Sequence, residues 1–315
     1  MGLRQLRIFT EVYQEKSITK AADKLHIVQP SVSLAIKELE EEYGIKLFDR
    51  IGRGIFVTET GEAFYEYASH IISLYDEMEN KMKSPSAPFQ INMGSSITIG
   101  CFIVPHIVAR FRDIYKNGEI NVRIQNSKQI VQGVMKNEID IGVVEDRVED
   151  DKLISIPFLK DQLLFVCNNS NQLTKKNKIE LEDIARQPLF MREPGSASRE
   201  IADGLFKANQ IKINIAWESI SNQSIIHALK ENEGITVISH KLVEKEIAEG
   251  SLYVLPLYPE EFKREFILIY HRNKYLTPAI KSLIGLICEE KKENIRSNCP
   301  MDTQGYGRLP GIVRR

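Results

Sequence analysis

Cysteine is scarce in this chain. Its four cysteines, Cys101, Cys167, Cys288 and Cys299, lie too far apart for any C-x-x-C pair, so neither a zinc ribbon nor a disulfide framework is indicated. Cys101 follows an expected helix start, where a thiol can be activated; the plainer expectation is a small buried apolar residue. No apolar run approaches the roughly 20 residues of a membrane span. The amino terminus is not a secretory signal, so a cytoplasmic location is expected. Charge of one sign is lacking too: 42 Lys and Arg against 43 Asp and Glu leave a net −1, with no global attraction to nucleic acid. There is no P-loop, no G-x-S-x-G elbow and no clustered metal ligands, and His106, His227, His240 and His271 are scattered. An enzyme is not expected, and neither a metal nor another cofactor is called for.

What is present is most informative from Ser17 to Leu47. Ser17 suits the N-cap of a short helix burying Ala21, Ala22 and Leu25. The apolar period breaks at His26-Ile27-Val28 and restarts at Val32, with Pro30 in the first turn of the next helix, where proline is tolerated best. Val32, Ile36 and Leu39 then face inward. Gln29, Pro30, Ser31, Ser33, Leu34 and Lys37 are left on the outer face, where a groove-reading helix meets bases and phosphates. Two amphipathic helices around a turn are common, so the flanks matter. Leu3, Leu6, Phe9, Val12 and Tyr13 make a third helix behind the pair. After Gly44, IKLFDRIGRGIFVTETG alternates around a Gly-Arg-Gly turn as a small β-wing would, with Arg50 and Arg53 in reach of phosphate. Residues 1–58 hold nine Lys and Arg against eight Asp and Glu. Binding therefore depends on placement, with Lys37, Arg50 and Arg53 on one face and Glu40 to Glu42 turned away.

The run AADKLHIVQPSVSLAIKELEEEYGIKLFDRIGRGIFVTETG resembles the winged helix-turn-helix of the LysR-type transcriptional regulators, in order and without gaps. The Ala-Ala pair, Gln-Pro-Ser-Val-Ser, Leu47-Phe48-x-Arg50 and Thr58-x-x-Gly61 carry the likeness. One departure is Leu34, where relatives often have Arg or another polar residue. The resemblance implies double-stranded DNA as a partner, read as an interrupted palindromic operator. It also makes RNA polymerase a further candidate partner.

From Thr60 to about Met82 a long helix is expected. Phe64, Tyr67, Ile71, Leu74 and Met78 step by three and four as in a coiled-coil seam. With the wing closing the first domain, a second chain is the natural cover, and the chain's own later domain is the alternative. The resemblance favours the first: a homodimer, and from it a homotetramer. Ser84-Pro85-Ser86-Ala87-Pro88 breaks the helix as a hinge.

From Phe89 short β runs alternate with helices, which predicts parallel sheet with right-handed crossovers. Strands are expected at Ile91–Gly94, Ile120–Gln125 and Ile139–Val144, and again at Leu163–Cys167, Pro188–Met191, Ile213–Trp217 and Ile235–Ile238. Two linked lobes follow, with crossings near Lys160–Gln162 and Arg264–Phe266, and a final helix, Thr277 to Lys292, on the first lobe. The expected fold class is α plus α/β: a winged helix-turn-helix (1–58), a dimerisation helix and hinge (59–88), and a two-lobed, periplasmic-binding-protein-like α/β effector domain (89–295). Lobe I takes about 89–161 and 266–295, and lobe II about 162–265. The Gly- and Pro-rich tail, 296–315, reads as disordered.

Ligands in such sheets bind beyond the carboxyl ends of strands, where helix N-termini gather. Gly94-Ser95-Ser96-Ile97-Thr98 and Arg192-Glu193-Pro194-Gly195-Ser196-Ala197-Ser198-Arg199 are such junctions, each offering hydroxyls and amides to an oxyanion. Singly each reads as ordinary helix capping; at matching places in two lobes, the pair reads as a ligand site. GSSITIGCFIVP and REPGSASR also resemble effector-domain signatures of a LysR-type branch that includes regulators of sulfur assimilation and of carbon dioxide fixation. That resemblance implies a small anionic effector (sulfite- or sulfate-like, a carboxylate or a phosphate ester) held by Ser95, Ser96 and Thr98. Asn126, Ser127, Ser196 and Ser198 are second in rank, followed by Ser221, Asn222 and Gln223 at another strand-to-helix junction. The expected function is a ligand-responsive transcription regulator in which lobe closure alters DNA binding or bending. Regulation through cysteine, or without any small molecule, is the alternative. A free-standing solute-binding protein is excluded by the attached DNA-binding domain.

Overall fold

A computed structural model describes residues 1–51, 54–83, 89–145 and 148–296. The first domain packs α1 (Leu3–Glu15), α2 (Ile18–Lys24) and α3 (Gln29–Tyr43) against the hairpin of β1 (Phe48–Ile51) and β2 (Gly54–Val57). Ser17 caps α2, its hydroxyl accepting the Lys20 amide at 3.3 Å. Ala21 and Ala22 are buried, small enough for α2 to lie close on its neighbours, and Val32, Ile36 and Leu39 fill the space beneath α3. Gly44 ends α3 in the left-handed region at φ 63°, where glycine is favoured. The Thr58-x-x-Gly61 signature has a steric cause. The Thr58 hydroxyl donates to the Lys46 carbonyl at 2.6 Å and accepts the Gly61 amide at 2.9 Å. A Cβ on Gly61 would lie 2.2 Å from the Leu47 carbonyl oxygen, so only glycine fits.

The acidic run at the end of α3 is not simply turned away. Glu40 folds back to accept the Leu47 and Phe48 amides at 2.8 and 3.3 Å, and Glu42 holds the amino terminus at 2.8 Å. Glu41 lies 3.3 Å from Lys37, one turn along.

α4 (Glu59–Lys83) uses three faces. Tyr65 and Ala68 are buried against α1, with Tyr65 stacked on Tyr13 at 3.6 Å and Phe64 edge-on to Phe9 at 4.9 Å. Phe64 therefore belongs to the core of the first domain, not to the expected seam, because the helix carries two apolar stripes and Phe64 falls on the inner one. Tyr67, Ile71, Leu74 and Met78 form the other stripe and are exposed in the single chain. A third face meets the later domain: Lys152 pairs with Glu66 at 2.5 Å, and the Asn137 side-chain amide donates to the Ser69 carbonyl at 3.3 Å. The expected hinge at 84–88 and the tail beyond 296 lie outside the described residues, as do Arg53 and Cys299.

The later domain begins with β3 (Phe89–Ser96), α5 (Ile97–Phe102), α6 (Val104–Ile114), β4 (Gly118–Gln125), α7 (Ser127–Met135) and β5 (Ile141–Glu145). It continues through β6 (Leu153–Asn168), α8 (Leu181–Ala185), β7 (Pro188–Arg192), α9 (Ala197–Ala208), β8 (Asn214–Ser219) and α10 (Asn222–Glu231). β9 (Ile235–Ser239), α11 (Glu244–Ala248), β10 (Leu252–Val254), β11 (Lys263–His271) and α12 (Pro278–Arg296) complete it. The strand order is β4-β3-β5-β11-β6-β9-β7-β8, with β10 beside β6. The sheet is mixed, and this corrects the expectation of parallel strands. β3 with β4 and β5, and β7 with β8 and β9, are parallel. The centre, β5-β11-β6-β9, is antiparallel because the chain crosses between lobes once in each direction. β6 has 16 residues and at about 3.3 Å per residue is long enough to run through both lobes. α12 packs Ala279, Ile280, Leu283, Leu286 and Ile287 onto the first lobe. Among the described residues no helix is long and apolar enough to cross a membrane.

Where α4 meets β11, the rings of His70 and His271 lie 3.9 Å apart, and His70 Nε2 is buried with no hydrogen-bond partner. Burial, with His271 and Lys274 nearby, pushes the His70 imidazole down to about 4. Burial also lowers His271. A depressed histidine stabilises the fold above its unfolded value of 6.5, and that contribution is lost as pH falls towards 4, because only the unfolded chain takes up the proton. Urea unfolding between pH 7 and 4 is expected to show a shallower loss of stability for His70→Phe than for the parent chain. Equal slopes would mean that His70 is not held neutral.

Candidate functional site

Two surfaces bring the singled-out side chains together. On the first domain, Gln29, Pro30, Leu34 and Lys37 of α3 are exposed, with Ser31 and Ser33 half-buried between them. Arg50 is exposed on β1. Lys37 and Glu41 are both largely in water, where such a pair is weak and screened by salt, so the ammonium remains available to phosphate.

The second surface lies between the lobes. β6 and β11 pair where they cross, with Arg264 opposite Asp161 and Lys263 opposite Gln162. Arg264 donates from Nε to Asp161 at 2.8 Å and from Nη1 to Glu145 at 2.7 Å, and its side chain is only 1% exposed. Ser239 of β9 donates to the other Asp161 oxygen at 2.7 Å. Burial pushes the Glu145 carboxyl up, but Arg264 and the hydroxyls of Thr98 and Ser96 outweigh it and hold the carboxyl below its ordinary range. Three ionic groups are thus buried side by side at the joint of the lobes.

Around this joint the β3–α5 junction places Ser95, Ser96 and Thr98, all buried. Ser96 donates to Glu145 at 2.9 Å, and Ser95 to the Ser96 carbonyl at 2.9 Å. From lobe II come Arg192, Ser196, Ser198 and Asn222, also buried. The Ser196 and Ser198 hydroxyls are 3.1 Å apart, and Arg192 Nη1 donates to Asn222 Oδ1 at 3.0 Å. Arg192 is close enough to act electrostatically on both Glu145 and Cys101. The lobes touch at Gly195, whose carbonyl accepts the Lys128 amide at 3.4 Å beside Asn126.

Other candidates do less. Asn126 caps α7 in a reciprocal pair with Gln129, and Ser127 Oγ accepts the Glu145 amide at 3.5 Å. Ser221 is exposed and spends its hydroxyl capping α10 at the Ser224 amide, and Gln223 is exposed. Cys101 is exposed, not buried as expected, and partial burial of its thiol still raises its pKa against the pull of Arg192. Cys167 is buried and its thiol is pushed up to about 12. Among the described residues no group of three metal-ligating side chains gathers.

Sequence reasoning missed Glu145 altogether, and it placed Asp161 and Arg264 only at the lobe crossings, without a role in the site. It named Arg192 only as part of a loop. The signal was there: each is a charge set inside or at the end of an apolar strand, as in IGVVE, FLKDQLLFV and REFILI. Such charges stay buried only with partners.

Residues 3–62 match the family of bacterial regulatory helix-turn-helix proteins of the lysR type, and residues 89–292 match the LysR substrate binding domain. The chain belongs to the LysR family. It is 32% identical over 282 residues to the uncharacterized HTH-type transcriptional regulator YeiE of Escherichia coli K12, covering 90% of this chain and 95% of that one. To the HTH-type transcriptional activator CmpR of Synechocystis it is 30% identical over 286 residues, 90% and 94% of the two chains. A full-length OxyR variant from Pseudomonas aeruginosa shares the fold at 18% identity, with a TM-score of 0.68 over 93% of this chain and 95% of that one. The Synechocystis CcmR regulatory domain in complex with 2-PG aligns at 24% identity and a TM-score of 0.59, over 65% of this chain and 98% of that one. This LysR-type protein is thus a transcriptional regulator, with a DNA-binding helix-turn-helix joined to a two-lobed substrate-binding domain.

Removing one member of a buried ion cluster leaves its partners uncompensated, at a cost of about 3–5 kcal/mol. Arg264→Met is expected to lower unfolding stability by that order in urea titrations at neutral pH. A loss below about 1 kcal/mol would show that the cluster is not what holds the joint.

Proposed function

We propose that this LysR-type regulator binds an interrupted palindromic operator as a homodimer, assembling further to a homotetramer. In this reading a small oxyanion held between the lobes alters that binding. One observation supports the ligand above all: hydroxyl, amide and guanidinium groups from both lobes converge, buried, on a joint whose charges are fixed. The candidates are a sulfite- or sulfate-like ion, a carboxylate or a phosphate ester. A CcmR regulatory domain of the same fold was solved in complex with 2-PG, which supports reading this domain as one that takes a small ligand. The raised thiol of Cys101 speaks against the cysteine-based alternative.

Gln29, Ser31, Ser33, Leu34 and Lys37 read the groove, while Arg50 and Arg53 reach phosphate. Tyr67, Ile71, Leu74 and Met78, already exposed, meet the same stripe of a second chain.

Closure reaches the DNA-binding head through α7. Its first turn touches Gly195 across the cleft. Its other end leads to Lys136, 3.7 Å from Glu62, and to Asn137, bonded to the Ser69 carbonyl. Nine residues of helix span the cleft and the dimerisation helix, so a movement of the first is passed rigidly to the second.

Fluorescence anisotropy on an interrupted palindrome tests the reading, with sulfite, sulfate, phosphate or small carboxylates added in turn. One of these is expected to shift operator affinity at least fivefold, and no shift from any would remove the oxyanion from the account. Leu74→Asp is expected to halve the sedimenting mass and weaken operator binding about a hundredfold, the scale of losing one half-site. An unchanged mass would place the seam elsewhere.

A further inference from the structure

Arg192 ends β7 and is 5% exposed, and all three nitrogens of its guanidinium are engaged. Nε and Nη2 grip the two carboxylate oxygens of its own neighbour Glu193 at 2.9 and 3.1 Å. Nη1 donates to Asn222 Oδ1. The other end of that amide, Asn222 Nδ2, is buried without a hydrogen-bond partner, in a residue 6% exposed. α9 opens beside them with no side-chain cap, since the Ser196 hydroxyl is turned to Ser198. A fork that suits an oxyanion is therefore already filled by a carboxylate, next to a buried donor with nothing to bind.

The charges of the joint explain why this matters. Arg192 and Arg264 face three carboxylates, Glu145, Asp161 and Glu193, which leaves one negative charge in excess. An entering anion meets net repulsion unless a carboxylate leaves. Glu145 and Asp161 are each held by Arg264 and by hydroxyls from neighbouring strands. Among the described residues, the Glu193 carboxylate bonds to Arg192 alone. It is the one free to move.

We propose that the Glu193 carboxylate is a built-in occupant of the oxyanion position, and that the effector displaces it to take the Nε–Nη2 fork of Arg192 and the Nδ2 of Asn222. This rests on the interlobe effector reading and adds its regulation. The ligand must present two oxygens in the spacing of a carboxylate, sulfate or phosphate to a planar fork. Its apparent affinity is reduced by the fraction of chains in which Glu193 still holds the fork.

The test is calorimetric titration of the full chain with sodium sulfate, sodium phosphate and sodium acetate separately, together with melting temperatures in chloride buffer. Glu193→Gln is expected to bind at least one of these anions tenfold or more tighter than the parent. In chloride alone it is expected to melt lower, recovering when that anion is added. Arg192→Lys keeps the charge but loses the fork, and is expected to weaken binding at least tenfold. Equal or weaker binding by Glu193→Gln overturns the displacement while leaving an effector in the cleft. Undiminished binding by Arg192→Lys places the anion away from this fork and overturns it too. If neither parent nor Glu193→Gln binds any of the three saturably, the oxyanion reading and this inference fall together.

Discussion

Arg264 sits where the two strands joining the lobes lie side by side, and its guanidinium meets Asp161 of β6 and Glu145 at the end of β5. Burying an ion costs several kcal/mol, recovered only when partners and geometry are right. With Glu145, Asp161 and Arg264 all out of water, both carboxylates depend on the one guanidinium and on the hydroxyls around it. Ser96 and Thr98 of lobe I and Ser239 of lobe II are hydrogen-bonded into it, so both walls of the cleft are referenced to the same ions. A ligand that redistributes hydrogen bonds there acts on the joint directly.

The helix-turn-helix is reached from this joint by short steps. Glu145 closes β5, and its amide meets Ser127 at the start of α7. The far end of α7 meets α4, whose inner face is packed on α1 and whose outer stripe is open. Three features are thus combined in one 25-residue helix: it closes the core of the first domain, takes up contacts from lobe I and carries an exposed apolar stripe. Packed interiors move between discrete arrangements and do not deform continuously, so a shift at one face of α4 is felt at the others.

The DNA-binding half was legible because its signals are local. Ser17, Pro30 and Gly44 punctuate helices whose apolar period is 3.6, and the Thr58-x-x-Gly61 pattern follows from contacts within a dozen residues or so. The long helix was legible in extent but not in phase: periodicity marked Phe64 as apolar without telling which of two stripes it joins. β6 was half hidden, because Pro157, Lys160, Asp161 and Gln162 interrupt its apolar run, and only Leu163 onwards read as a strand. Those interruptions are satisfied by Arg264 and its strand, more than 100 residues away, and a single sequence gives no pairing over that distance. In the cleft the hydroxyl-rich junctions stood out, since strand-to-helix turns are recognisable locally. The charged groups behind them did not, and neither did the difference between Ser221, which only caps a helix, and buried Asn222.

The most direct measurement is amide hydrogen exchange on the full chain, with and without whichever of sulfate, sulfite or phosphate raises its melting temperature most. Coupling through α7 predicts slower exchange at 95–98 and 196–198 in the cleft, accompanied by a change at 134–138 and along 66–72 of α4. Slowing confined to the two cleft segments, with α7 and α4 unaltered, would contradict it.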